Sequence, residues 1–270
     1  MRFALVLFLV LCFAAAYADT LDYAHQAVVV MSIESGPVNV QGTADLAKRA
    51  IEVLKTASYD RDWTVAAYLS SHPLAERKLE RINLDSRRAG TKFLSDGAIS
   101  EEYDYPLVGA VLSLILPPTG GGRLLGRTAC PVCGQPWPEG KEPPPGVTLV
   151  PYEDGSVPEY SGILIDARGL GFRPALFPRA VVESGDVVIG PEFASAERLA
   201  QAGAFAYFRD RSEALTSERI GASPLVVRAL RVSGNNQCDL VVSQYEAARI
   251  HGSKANLDLL LKCRVGLLVD

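Results

Sequence analysis

The sequence predicts an α/β protein in two halves. The N-terminal half is α+β and contains a β-hairpin, and the C-terminal half is a mixed sheet closing on a parallel β-α-β unit. Three observations carry this prediction. Short β-branched apolar runs alternate with stretches of helical periodicity. Apolar residues make up 48% of the 270-residue chain, enough to build a proper core. Ten of the 17 prolines and eight of the 23 glycines fall between residues 117 and 158, a composition shift that reads as a stiff joint. The organisation expected is a signal segment over 1–18, an α+β domain over 19–116, a Pro/Gly-rich linker over 117–158 and an α/β domain over 159–270.

Taken in order, Arg2 supplies a positive start, and Phe3 to Ala16 form an apolar run too short to span a bilayer. Ala16-Tyr17-Ala18 is a small-x-small cleavage pattern, so a mature chain beginning at Asp19 is expected, exported to an oxidising compartment. Leu11, not a small residue, precedes Cys12, which disfavours lipid attachment there. No later run is apolar and long enough to read as transmembrane.

"QAVVVMSI" (26–33) is a buried strand by its continuous β-branched character. Thr43 is placed to cap a helix with Leu46, Ala50 and Leu54 on one face. A second helical region over about 64–83 is interrupted at Pro73. Asp96-Gly97 reads as a two-residue hairpin turn, setting Leu94 opposite Ile99 and Lys92 opposite Glu101. Ile99, Tyr103, Tyr105 and Leu107 then point inward.

Beyond the joint, "SGILIDARG" (161–169), "GDVVIG", "AFAYF", "PLVVRALRV" and "CDLVVS" read as strands. "SAERLAQAG" reads as a capped helix ending at Gly203, and "QYEAARI" and "NLDLLLK" as helices before the final "CRVGLLVD".

The formal charge of −4, without a basic run, excludes an electrostatic footprint for nucleic acid or anionic lipid. Four cysteines follow the signal: Cys130, Cys133, Cys238 and Cys263. Their even number in an exported chain favours two disulfides. Cys238 and Cys263 each precede an apolar strand, and a helical crossover between parallel neighbours would bring both to one end of the sheet. Cys130-Pro-Val-Cys133-Gly resembles a zinc knuckle, but it supplies half of a tetrahedral site and no second knuckle follows. As a redox dithiol it lacks the following helix, because Gly134, Pro136 and Pro138 intervene. A disulfide-closed turn is the leading reading; thiol–disulfide exchange at Cys130 and Cys133 and zinc binding there are the alternatives.

"TGGGRLLG" (119–126) lacks the lysine and hydroxyl of a phosphate loop, and "GLG" (169–171) lacks the third glycine of a dinucleotide fingerprint. His25, His72 and His251 lie in different elements and read as capping or surface residues. Asp166 and Arg168, two apart at a strand end, share a face and form either a ligand pair or an ion pair anchoring the next loop. No catalytic constellation and no cofactor motif emerges, which favours binding or scaffolding over turnover. The apolar and arginine residues of "ARGLGFRPALFPR" suit partner contact as well as packing.

The passage "YSGILIDARGLGFRPALFPRAVVESGDVVIG" resembles bacterial envelope proteins related to flagellar assembly proteins P and T and to a family of small outer-membrane lipoproteins. "CDLVVSQYEAARI" and "LLLKCRVGLLVD" extend the resemblance, and "KFLSDGAISEEYDYPLVG" continues it more loosely into the N-terminal half. The resemblance implies an α/β envelope domain without known catalysis. It would sit in the periplasm or at the outer membrane and act in assembly or reinforcement of a surface structure through envelope proteins or self-association. The Cys-Pro-Val-Cys insertion and the missing lipobox depart from that pattern.

Overall fold

A computed structural model describes residues 19–34, 40–95, 97–153, 155 and 158–270. The chain is α/β, and its described residues divide into two compact units. One contains the residues up to Ala57 with Val65–Leu114; the other contains Ser58–Thr64 with Ile115–Asp270. The expected signal segment and Asp96 of the expected turn lie outside the described residues.

The first unit is an antiparallel sheet with helices. β1 (Thr20–Asp22), β2 (Ala27–Glu34), β3 (Arg87–Phe93) and β4 (Ile99–Pro106) take the order β1-β2-β4-β3. Val28 and Val30 of β2 pair with Tyr105 and Tyr103 of β4, and all four are buried. α1 (Val40–Thr56) buries Leu46, Ala50 and Leu54, the stripe expected from their spacing. That helix already includes position 43, so its start lies earlier than a cap at Thr43 would place it. α2 (Val65–Ser71) and α3 (Pro73–Glu80) are separated at His72, with Pro73 in the first turn, where its missing N–H leaves no bond unmade. α4 (Ala110–Leu114) closes the unit.

The hairpin register differs from expectation by one residue. Phe93 faces Ile99, Lys92 faces Ser100 and Thr91 faces Glu101. The reason lies in the connection, which is wider than two residues: Leu94 N–H donates to Ala98 O (2.9 Å) and Gly97 N–H to Leu94 O (3.1 Å). Gly97 sits at φ +86, where a glycine is favoured. The expected Lys92–Glu101 pairing is thus replaced by Arg88, whose Nη1 lies 3.0 Å from Glu101.

Two sheets organise the second unit. β7 (Ile163–Asp166), β10 (Ala206–Phe208), β11 (Leu225–Arg228) and β14 (Val265–Leu268) form an all-parallel sheet in the order β10-β14-β7-β11. Ile163, Leu164 and Ile165 are fully buried, as a parallel strand covered on both faces requires. β8 (Ala180–Val181), β9 (Val187–Ile189), β12 (Arg231–Ser233) and β13 (Asp239–Val241) form a mixed sheet in the order β12-β13-β8-β9. β5 (Thr128–Ala129) and β6 (Val150–Pro151) make a small antiparallel pair.

Helices α5 (Ala196–Ala202), α6 (Arg211–Thr216), α7 (Gln244–Ile250) and α8 (Lys254–Leu261) all begin at side-chain caps: Ser195, Asp210, Ser243 and Ser253. Gly162 is required by close approach, since a Cβ there would lie 2.6 Å from the carbonyl oxygen of Ile220.

The expected β-α-β unit at the chain's end does not form. β13 belongs to the mixed sheet and β14 to the parallel one, so α7 and α8 carry the chain between sheets. The premise for a Cys238–Cys263 bridge goes with it, and both thiols are free. Cys263 has a different local role. Its φ is +53, its N–H donates to Leu260 O and the next N–H, of Arg264, reaches back to Leu259 O. It occupies the left-handed position that ends α8, where glycine is usual.

Much of the Pro/Gly-rich stretch is bonded into the second unit. Gly122 lies against the Phe193 ring, Leu125 N–H donates to His251 and Glu153 caps the first N–H of α8 at 2.7 Å. Ser58–Thr64 is held there too. Asn236 Nδ2 donates to the carbonyls of Asp60 (2.8 Å) and Trp63 (2.9 Å), while Leu176 and Phe177 N–H donate to those of Ser58 and Tyr59.

Candidate functional site

In open parallel sheets, ligands bind beyond the carboxyl ends of the strands. Here that edge carries Asp166 and Arg228 at the ends of β7 and β11, Asp210 just after β10 and Asp270 just after β14. Asp166 and Arg168 meet as their spacing predicts: Arg168 donates from Nε to Oδ1 (2.9 Å) and from Nη2 to Oδ2 (2.6 Å). The guanidinium beside Asp166 holds its carboxyl below the usual range, and Asp166 raises Arg168 in turn, with smaller contributions from Asp210 and Asp270. Both Asp270 carboxylate oxygens accept from Gly169 N–H (2.9 and 3.0 Å), and Asp210 accepts from Ser212 N–H at 2.7 Å to start α6. Each carboxylate therefore has a structural partner, and the pair anchors the loop that follows β7.

That loop, residues 167–179, is exposed at Arg168, Gly169, Gly171 and Arg173 and turns inward over 175–178. Ala175, Leu176 and Phe177 are buried, Phe177 meets Tyr59 edge-on at 5.0 Å, and Tyr207 Oη donates to Ala175 O at 2.7 Å. Arg179 pairs with Glu192 at 3.1 Å and donates its backbone N–H to the buried Asp239 (3.0 Å). Packing explains Ala175, Leu176, Phe177 and Pro178, whereas Leu170, Phe172 and Pro174 are only partly buried. Burial pushes Asp239 up to about 6 despite that N–H.

The four cysteines fall into two chemical classes. Cys238 and Cys263 are buried; burial pushes Cys238 up to about 12 and also raises Cys263, leaving both as inert thiols. Cys130 is half-buried and Cys133 exposed, and neither is in a disulfide, so neither expected bridge is present. The Cys133 and Val132 backbone beside it, and the Cys133 thiol, hold the Cys130 thiol below its ordinary value. Among the described residues, no three His, Cys, Asp or Glu side chains gather into a metal site.

The histidines separate likewise. His25 meets Asp22 at 2.8 Å, and His72 contacts Ser71 and Tyr68 O at 2.9 Å, all at the surface. His251 does end α7, as a capping residue would, but it is buried. Its Nδ1 accepts from Leu125 N–H (2.8 Å) and its Nε2 donates to Val188 O (2.7 Å). An N–H can only donate and a carbonyl only accept, so the imidazole is neutral with its proton on Nε2.

Arg219 was not singled out by any motif. Its guanidinium donates to the carbonyls of Cys263, Ala202, Gly203 and Ala204, at the ends of α8 and α5. Only the spacing of two helix termini in the fold, which no local pattern records, identifies it.

Residues 162–270 match a family model described as the second domain of Treponema pallidum Tp0624. The match begins beside β7 and runs through β14, covering both C-terminal sheets and less than half of the chain. No curated protein matches the chain. No helix among the described residues is long and apolar enough to cross a membrane.

Proposed function

We propose that the chain is an exported, non-enzymatic protein of the cell envelope, working through protein–protein contacts in the assembly or reinforcement of flagellar or outer-membrane structures. The observation that carries this reading is the state of the parallel-sheet edge. Asp166, Asp210 and Asp270 are each committed to scaffold hydrogen bonds. Catalysis needs an acid, base or nucleophile aimed at a substrate, and these groups are aimed at their own loops. The match of residues 162–270 to a region named as one domain of another protein fits a module that is reused within larger architectures.

The compartment rests on the apolar run before Ala16-Tyr17-Ala18 and on the resemblance of "ILIDARGLGFRPALFPR" to envelope proteins. Cells producing the full chain with a C-terminal tag are fractionated and the N-terminus of the product is read by mass spectrometry. The expected result is a chain starting at Asp19 in the periplasmic or envelope fraction. A product retaining Met1 or Arg2 in the cytoplasmic fraction overturns the proposal.

A further inference from the structure

Residues 116–127 cross the second unit as a strap anchored at both ends. At one end the buried Ile115 accepts from Tyr59 Oη at its carbonyl (2.8 Å). At the other, Arg127 O accepts from Tyr152 N–H (3.0 Å) and Thr128 enters β5. Between these anchors the strap lies close on its floor. A Cβ on Gly122 would come within 2.6 Å of the Phe193 ring, and one on Gly126 would lie 3.6 Å from Ala248 Cα. The Phe193 ring stands 4.7 Å from that of the buried His251. Leu125 N–H donates to His251 Nδ1 at 2.8 Å. Among the described residues, no other hydrogen bond holds positions 117–126.

This latch exists in one protonation state. The neutral ring accepts from Leu125 N–H and donates from Nε2 to Val188 O (2.7 Å). An imidazolium carries N–H on both nitrogens and has no acceptor, so Nδ1–H would face Leu125 N–H. Turning the ring over changes nothing, because both nitrogens are then donors. Val188 is buried in β9 and can still accept, so the strap is the side that yields. Its departure would also let water reach the new charge, which burial otherwise penalises.

The charged groups on the surrounding elements have other partners. On α7 Arg249 pairs with Glu246 (2.8 Å), and beside Phe193 Glu192 pairs with Arg179 (3.1 Å). Asp186, before β9, accepts from Ser184 Oγ, and Glu153 accepts from Lys254 N–H at the start of α8. On the strap itself Arg123 and Arg127 are exposed, with Arg127 over the Tyr152 ring. Among the described residues, none of these side chains bonds the imidazole. Burial thus dominates its proton affinity and lowers it, with the Val188 carbonyl opposing.

We infer that residues 116–127 form a proton-released lid, latched by the neutral imidazole of His251 and let go when that ring takes a second proton. The sign follows from linkage. The open lid leaves the ring near its ordinary value of about 6.5, above the closed value, so acid favours opening. Opening uncovers the Phe193 ring and the Ala248 side of α7. The lid goes beyond the proposed function and stands without it: a chain whose lid stays shut leaves the localisation result intact.

Hydrogen–deuterium exchange on the full-length chain, corrected for the intrinsic rate, is followed from about pH 8 to about pH 5. Protection at Leu125 should fall by up to about tenfold for each pH unit between about 6.5 and the closed value, then level off. Protection across Ile163–Asp166 should persist over the same range. His251→Gln removes the titrating ring and should make Leu125 protection independent of pH. Nitrogen-15 NMR of the unaltered chain covers the case in which that variant misfolds. Protonation of His251 Nδ1 should coincide with the loss of Leu125 protection. Protection at Leu125 that persists while His251 titrates overturns the inference. So does the same acid loss in His251→Gln, or a loss shared equally by Ile163–Asp166.

Discussion

Replacing Arg219 by leucine is expected to lower the stability of the second unit by about 3–5 kcal/mol, a loss confined to a few kinds of substitution. The guanidinium reaches Cys263 O at 2.6 Å, Gly203 O at 2.8 Å and Ala204 O at 3.0 Å, and it bonds Ala202 O as well. These carbonyls stand where α5 and α8 end and the chain enters β10 and β14, adjacent strands of the parallel sheet. Helix C-termini leave unpaired carbonyls and partial negative charge, and one planar cation serves two such ends at once. Burial lowers the guanidinium to about 10, so it remains charged at neutral pH. Leucine would fill part of the volume but leave all four acceptors without their donor. Arg219→Lys should recover only a part, because an ammonium has three donors at one point and cannot span the fork. Urea unfolding monitored on the wild type and both variants checks this. A loss under about 1 kcal/mol for Arg219→Leu would mean that water or a repacked loop satisfies those carbonyls.

The second large effect is expected at His251. His251→Phe removes the acceptor for Leu125 N–H and the donor for Val188 O, for an expected loss of about 1–3 kcal/mol. The same imidazole gives the stability a pH dependence of definite sign. Burial lowers its pKa, only partly offset by the Val188 carbonyl. A folded-state pKa below the unfolded value of ~6.5 means that the unfolded chain binds the extra proton more readily. The contribution of His251 is therefore fully present above about pH 6.5 and is lost as pH falls through the folded value. Asp239 acts in the opposite direction. Its folded pKa is raised to about 6, so it lowers stability as pH rises from the ordinary carboxylate range through that value. Subtracting the pH profile of His251→Phe from that of the wild type isolates the histidine. The difference should shrink on acidification; a difference that grows below pH 6 contradicts the neutral Nε2–H assignment.

Residue patterns made some of this fold legible in advance and left other parts hidden, for physical reasons that can be named. The strand at Ile163–Asp166, the buried stripe of α1, the break at Pro73 and the Ser195 cap all depend on neighbours within a few residues. Local chemistry determines such features, and local reading finds them. The hairpin register failed by one residue because Asp96-Gly97 suggests a two-residue turn, whereas the observed bond closes between Leu94 and Ala98.

The cysteine pairing failed at longer range. "CDLVVS" and "CRVGLLVD" look like successive parallel strands, yet they enter different sheets, and sheet membership is decided by partners far away in the chain. The Asp166–Arg168 contact was visible because two residues on one strand share a face. Arg219 and His251 were not, since each is defined by acceptors or donors tens of residues distant. The Cys130–Cys133 turn lies between these cases: its sequence announced the turn, and only the fold showed the bonds from Cys130 N–H to Gln135 O and from Gly134 N–H to Cys130 O that close it.

The proposed binding role in the envelope is tested most directly by asking whether the chain is held by a defined neighbour in living cells. A photo-crosslinking residue is placed singly at Phe93, Leu230 and Tyr245, which are exposed apolar side chains, and the mature product is recovered from the envelope after illumination. The predicted result is a discrete adduct of fixed mass from at least one position, abolished by excess unlabelled mature chain. Free monomer from all three positions, with saturable turnover of a small substrate by the same purified protein, would contradict it.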